Sequence, residues 1–312
     1  RVKTMKKIVV IIISVIFIPF IITSFFYEYK LQHIQSGFNS NKDETVVRVL
    51  TKNNTVEKIN LEDYLVGVVS GEVPVSFEKE AIKAQAVAAR TYALKQIENH
   101  KNYEYDVKDD TSSQVYQTDE ELRNKWGNNY DEYVKKIKEC VNETEGEYVS
   151  YNNEVIYAFF FSTSNGKTED NKNVFGKDLP YLKVVDSSFD ESETKNFTTV
   201  KIVSLDDFYK QLDLEKSDEL NITDIARTES GRISSIMVNG KAFTGRDFQK
   251  RLSLRSNDFT IQKNNENITI TTKGFGHGVG MSQYGANALA KRHKTYDEIL
   301  KYYYQGTNLQ KL

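Results

Sequence analysis

The sequence predicts an α+β fold: a single mixed main domain with a small inserted α/β accessory subdomain, preceded by one transmembrane helix. Three observations predict it. An uncharged apolar run, Ile8–Phe26, stands ahead of an ordinary globular composition, 39% hydrophobic and 28% charged over 312 residues. Short alternating segments such as Thr45–Leu50 and Thr55–Leu61 read as strands, while Ile82, Ala86, Ala89, Ala93 and Ile97 mark a helix by their spacing. Residues 200–260 then read as a smaller unit of helix, hairpin and helix.

The run IVVIIISVIFIPFIITSFF holds 19 residues without a charge, enough for a hydrocarbon core of about 30 Å. Arg1, Lys3, Lys6 and Lys7 precede it and no acidic residue does. The positive-inside rule then keeps residues 1–7 in the cytoplasm and sends the rest outside. A cleaved signal peptide is the alternative, but it would have a shorter apolar core ending in small residues, and this core ends in the bulky SFFYEYK. The expected order is a tail at 1–7, an anchor at 8–26, a polar linker at 27–44 and an extracytoplasmic domain at 45–312.

Within that domain, Asn53-Asn54 turns the chain between the first two strands. Tyr64–Val69 is an apolar run that reads as leading into a small-residue turn at Ser70-Gly71, with Glu72 on the turn. Pro74 ends it, and a helix follows with Ser76 available as cap and Glu78 and Glu80 in its first turn. Its stripe is mostly alanine, which admits close neighbours and makes this helix central. Residues 100–130 are polar. A second helix is expected over 131–145, closed by Gly146. EYVSYNNEVIYAFFF reads as a hairpin on Asn152-Asn153, with a buried strand from Val155 to Phe161. The polar loop 162–186 is long enough to suggest a functional segment. Leu205–Leu212 reads as a helix, RISSIMVNGKAFTG as a hairpin on Asn239-Gly240, and 246–252 as a short helix. In the last quarter, glycines at 274, 276, 278 and 280 surround His277, a helix begins near Ser282, and Thr295 with Glu298 forms a capping box for a final helix through Tyr304.

Charge narrows the partners. Beyond the apolar run, 38 Lys and Arg face 44 Asp and Glu, a net charge of −6. That disfavours nucleic acid and anionic wall polymers and permits a neutral or sparsely charged glycan. The lone cysteine, Cys140, rules out an intrachain disulfide and a cysteine-rich zinc site, and reads as a small buried hydrophobe.

Glu72 is the candidate acid. A carboxyl beside an apolar run is desolvated, its pKa rises, and it can give up a proton near neutral pH. The competing reading makes it a capping acid for the next helix. Arg90 lies inside the apolar stripe and needs an acceptor: pairing with Glu72 would lower the acid's pKa, whereas pairing with substrate or another acid would not. The glycine-rich loop lacks the lysine of a phosphate loop, so nucleotide binding is rejected. His277 either pins that loop through a backbone hydrogen bond or touches substrate. Gln283, just beyond it, is a further candidate contact. His33, His100 and His293 are scattered, so no metal centre forms around His277.

The ordered motifs SGEVP, EAIKAQAVAARTYAL, TSSQVY, FFFSTSNGKTED, LPYLK, GFGHGVGMSQYGANALA and YDEILKYYYQGT resemble the stage II sporulation protein D family over about residues 45–310. The resemblance implies a lytic transglycosylase that cuts peptidoglycan during engulfment. It implies a preference for glycan strands already stripped of stem peptides by a partner amidase, a complex with that amidase and a membrane protein, and a place in the mother-cell membrane facing the septal space. By the same resemblance Glu72 is the catalytic acid, Arg90 is an arginine needed for activity, and Tyr181 and Lys183 are a Tyr-x-Lys pair lining the cleft. Some relatives bind zinc near TSSQVY through a cysteine pair and a histidine. Here Lys108, Ser112 and Ser113 occupy that region, so no structural zinc and no cofactor is expected. Lys167 also replaces a histidine common in the family's loop. The wider family leaves an alternative open, a non-catalytic wall-binding enhancer of an amidase, and a scaffold role in a membrane complex is a third.

Overall fold

The computed structural model describes residues 45–312, apart from residues 111, 112, 218 and 265. The expected tail, anchor and linker lie outside the described residues. Among those described, no helix is long and apolar enough to cross a membrane.

Strands β1 (Val46–Leu50) and β2 (Val56–Asn60) pair antiparallel, with Asn54 at φ 59° in the turn. Helix α1 (Leu61–Glu72) follows at once. The Asn60 side chain caps it, accepting from the Glu62 amide at 2.9 Å. Here the structure corrects the sequence reading. Leu61, Tyr64, Leu65, Val68 and Val69 are all buried on one helical face, and Ser70-Gly71 continue the helix instead of turning. Glu72 is therefore the last residue of α1.

Gly67 and Gly71 lie one turn apart on α1 and leave its backbone bare. A Cβ at Gly67 would meet the Tyr116 ring at 2.4 Å, and one at Gly71 would meet Val115 O at 2.6 Å. The extended segment 115–117 thus lies directly on the helix, and Tyr116 stacks on Tyr64 with ring centroids 5.4 Å apart.

Helix α2 (Lys79–Asn99) runs 21 residues, about 32 Å at 1.5 Å per residue. Ala81, Ala84, Ala86, Ala88, Ala89 and Ala93 are buried, and the helix packs against four others, so it is central as its alanines predict. Its cap residue is Glu78 and not Ser76; the Glu78 amide donates to Asn287 Oδ1 at 2.9 Å. β3 (Val107–Lys108) lies parallel to β1. Helix α3 (Asp119–Trp126) has a Thr118–Glu121 capping box. It lies in the stretch read only as polar, because five of its eight residues are charged and Leu122 is its one buried side chain. Helix α4 (Tyr130–Glu143) carries Cys140, buried in the main core.

β4 (Glu147–Tyr151) and β5 (Glu154–Val155) form the hairpin on Asn152-Asn153, both at positive φ. The expected strand through Phe161 is broken. A bend in which the Phe159 amide donates to Tyr157 O (2.9 Å) separates β5 from β6 (Phe160–Phe161). Short helices α5 (Asn171–Phe175) and α6 (Asp190–Glu193) punctuate the long polar segment. Then come β7 (Thr198–Ser204), α7 (Leu205–Leu212), β8 (Ile222–Arg227), β9 (Ile233–Val238), β10 (Lys241–Thr244), α8 (Gly245–Arg251), β11 (Phe259–Asn264) and β12 (Asn267–Lys273). They enclose a second core built on Phe208, Phe248, Phe259, Ile236 and Ile270. It extends past residue 260 because β12 pairs with β7 along its whole length, from Asn267 opposite Ser204 to Lys273 opposite Thr198. The chain returns to the main core through β13 (Met281–Ser282), α9 (Gln283–Lys291), α10 (Tyr296–Tyr303) and β14 (Asn308–Lys311). β13 lies parallel to β6, and β14 pairs with β4.

Arg90 of α2 is fully buried and holds a fork on Glu62 of α1: Nε to Oε1 at 2.8 Å and Nη2 to Oε2 at 2.6 Å. Its Nη1 donates to Glu147 O at 3.0 Å, and the Gly146 amide donates to Glu62 Oε1 at 3.3 Å. The pair thus ties α1, α2 and the start of β4 together. Removing one partner strands the other charge. Arg90→Ala should therefore lower stability in urea unfolding by about 3–5 kcal/mol. A loss within experimental error would show that the pair does not hold these elements.

Candidate active site

Glu72 closes α1, half-buried, with both carboxylate oxygens engaged. Oε1 accepts the Val115 amide at 2.8 Å, and Oε2 accepts Gln283 Nε2 at 3.1 Å. Both donors follow from packing. Val115 is in reach because Gly71 lets its segment rest on α1. Gln283 is in reach because the head of α9 is fixed from two sides. Its cap residue Ser282 bonds the buried carboxylate of Asp190, which also accepts Ser187 Oγ and the Ser164 amide, each at 2.7 Å. On the other side, β13 lies on β6, an approach that Gly280 at φ 79° permits: a Cβ there would sit 1.9 Å from Phe159 O.

Burial is the largest influence on the Glu72 carboxyl and pushes its pKa up. The hydrogen bonds from Val115 and Gln283 favour the carboxylate and pull it part of the way back. Tyr92 of α2 is close enough for the Glu72 charge to raise its hydroxyl pKa, though burial is the larger cause; the same hydroxyl hydrogen-bonds with Ser113 and Gln96.

Tyr92 and Ser113 open onto a cavity of about 260 Å³, walled also by Phe159, Phe160, Phe175, Arg246 and His277. Among the described residues, no acidic one lines it. Three phenylalanines and a tyrosine make a surface suited to the apolar faces of sugar rings. Arg246 comes from α8, so both cores contribute to the wall.

His277 does what the first of its two readings proposed. Its Nδ1 accepts the Val279 amide at 3.1 Å, and the ring also bonds the Phe160 backbone. Burial, then the nearby Arg246 and Arg232 charges, lowers its pKa to about 4, so the ring is neutral near neutral pH. Its ring nonetheless faces the cavity, edge-on to Phe175 at 5.5 Å.

His277 lines the cavity, and Glu72 with its partner Gln283 is linked to it through Tyr92, which senses the Glu72 charge. The other expected site residues stand apart. Arg90 is a correction: with its guanidinium sealed in the core by Glu62, it reaches neither Glu72 nor solvent. Tyr181 is buried, its hydroxyl accepting the Tyr157 amide at 3.3 Å and its ring packed on Tyr151. Lys183 is held by Asp170 at 3.0 Å and by Asp178. Neither lines the cavity. The capping reading of Glu72 fails too, because α2 starts only at Lys79, with Glu78 as its cap residue. Tyr92, Ser113, the Val115 amide, Arg246 and the phenylalanine wall escaped the sequence reading. The spacing of Gly67 and Gly71 was the available signal that a segment must lie against α1. Among the described residues, no group of three or more His, Cys, Asp or Glu is placed to hold a metal ion.

An α+β protein with one desolvated carboxyl, two hydrogen bonds on it and an aromatic cavity nearby has the parts of a general-acid site. Comparison with known proteins makes the class specific. A family model described as Stage II sporulation protein matches residues 50–151. The chain is 42% identical to Stage II sporulation protein D of Bacillus subtilis over 264 residues, 83% of this chain and 77% of the relative. It shows the same identity to the Bacillus amyloliquefaciens protein of that name, over 83% of this chain and 76% of the relative. An amidase enhancer of Bacillus subtilis is 29% identical over 78% of this chain but only 40% of its own length. The chain belongs to the stage II sporulation protein D family, a family of sporulation.

The electrostatics give a direct test. In a carbon-13 NMR titration of the glutamate carboxyls, Glu72 should lose its proton above the ordinary glutamate range. Gln283→Leu removes a hydrogen bond that favours the carboxylate, so it should move that midpoint further up. A midpoint unchanged or lowered by the substitution would contradict the assigned balance.

Proposed function

We propose that the protein is a membrane-anchored lytic transglycosylase that cuts peptidoglycan strands lacking stem peptides during engulfment in sporulation. The observation that carries this reading is the solitary acid. Glycosidases that add water commonly need two carboxyl groups, one as acid and one as base or nucleophile. Both oxygens of Glu72 are held by neutral donors, the Val115 amide and Gln283, and among the described residues no acid lines the cavity that Tyr92 shares with it. A transglycosylase needs no second carboxylate, because its nucleophile belongs to the substrate.

Neutral Glu72 donates its proton to the glycosidic oxygen as the bond to the muramic anomeric carbon breaks, and the leaving sugar departs with a free hydroxyl. The Glu72 carboxylate then takes the proton from the muramic C6 hydroxyl as that oxygen bonds to the anomeric carbon. The product is a 1,6-anhydro sugar, and Glu72 ends protonated as it began. The nucleophile is held in the same ring, so proximity supplies much of the rate. Gln283 and the Val115 amide orient the carboxyl and steady its charged form. Tyr92 and the phenylalanine wall would seat the rings.

The family membership supports the sporulation setting. The anchor at 8–26, the mother-cell membrane location, and the amidase and membrane-protein partners belong to the same proposal. A second reading, a wall-binding enhancer of an amidase without its own cleavage, draws on the likeness to the amidase enhancer.

The test is mass spectrometry of products from amidase-stripped strands. Wild type should release anhydro-ended fragments, and Glu72→Gln should lower the rate by about two to four orders of magnitude. Reducing-end products would mean hydrolysis and a different mechanism. No cleavage by either protein would favour the enhancer.

A further inference from the structure

We propose that Arg246 is a specificity-determining residue that binds a carboxylate on the glycan, the free lactyl carboxylate of muramic acid. This inference rests on the glycan-cleaving reading of the site. It starts from a charge without a counter-ion. Among the described residues, no carboxylate forms an ion pair with Arg246, whereas Lys183 is paired with two aspartates and Arg227 with Asp258.

The Arg246 guanidinium lies over the Phe175 ring at 5.4 Å and donates through Nη1 to Val174 O at 2.8 Å. A guanidinium carries five N–H donors, so most of this fork is unused by the protein. Arg246 is exposed, so a ligand can reach its fork, and desolvation by the neighbouring wall lowers its pKa. Its position matters as much as its charge. It lines the same cavity as Tyr92 and His277, and Tyr92 in turn senses Glu72. The other cation close to His277, Arg232, is fully buried, and its Nη1 is spent on Lys167 O and Ser230 Oγ, each at 3.0 Å.

A ligand for this wall must offer apolar ring faces to the phenylalanines and a planar anion to the fork. Muramic acid offers both. In a peptide-bearing strand the lactyl carboxyl is an amide and carries no charge. Once the stem peptide is cut off, it is a carboxylate, which an arginine can grip through two parallel hydrogen bonds. Selection for stripped strands then needs no dedicated pocket to reject peptides. The charge uncovered by the preceding amide-cleaving reaction is itself what is recognised. His277, neutral and hydrogen-bonded to the loop, leaves Arg246 as the only cation on the cavity wall among its described residues.

Binding separates this from the catalytic question. The full chain carrying Glu72→Gln is titrated calorimetrically with stripped glycan strands and with the same strands converted to primary amides at the lactyl carboxyl. The carboxylate form should bind about 10- to 100-fold tighter. Adding Arg246→Met should erase that difference by weakening only the carboxylate form. Arg246→Lys should recover part of it, because it restores the charge without the fork. Lys250→Met, an exposed cation on the same helix, should leave the ratio intact. Equal binding of both strand forms, or a ratio unchanged by Arg246→Met in a protein with normal thermal unfolding, would overturn the inference while leaving anhydro-sugar formation by wild type untouched. An equal loss of ratio in Lys250→Met would reduce the effect to general charge and overturn it as well. No binding of either strand would overturn it together with the reading on which it rests.

Discussion

The Arg90–Glu62 pair is the constraint on which the main core depends. Arginine in the middle of a buried alanine face is costly unless every donor is used. Here the fork meets one carboxylate, and a remaining N–H meets the backbone where β4 begins. That requirement sets how α1 lies on α2. Glu62 stands at the first turn of α1 and Glu72 at its last. Holding the first at a fixed place therefore helps to aim the second. An arginine can in this way shape a site it does not enter.

The site itself is assembled by near approaches of backbone more than by side-chain chemistry. Gly67 and Gly71 let the 115–117 segment settle on α1 and bring an amide to Glu72. Gly280 lets β13 reach β6 and brings Gln283 from the far end of the chain. Two hydrogen bonds to one carboxylate thus depend on the missing methyl groups of residues that carry no function of their own. The second core adds the opposite wall through Arg246.

Much of this was legible in the sequence, and the failures have physical causes. Local signals held well: the Thr295–Glu298 capping box, the Asn239-Gly240 hairpin and the alanine stripe of α2 all lie where their patterns put them. The end of α1 was misread because Ser70 and Gly71 resemble a turn in isolation; their packing against Val115 is a tertiary fact. Helix α3 was missed because its capping box carries the signal while its face is almost wholly charged. Glu72 was found from its apolar setting and from likeness to a family. Arg90 was correctly seen to need an acceptor, but spacing says nothing about which of several acids supplies it. The cavity wall was invisible because Tyr92, Ser113, Phe159 and Arg246 are far apart in the chain and unremarkable one by one.

The place of Glu72 at the end of α1 has one more consequence. Peptide dipoles along a helix add up to a partial negative charge at its C-terminus. An anion formed on Glu72 therefore meets opposition from the field of its own helix, on top of the loss of water around it. One end of a helix that shelters a proton also calls it back once it has left. In the proposed cycle, where a single carboxyl gives a proton and then recovers one, the polarity of α1 would act on the recovery.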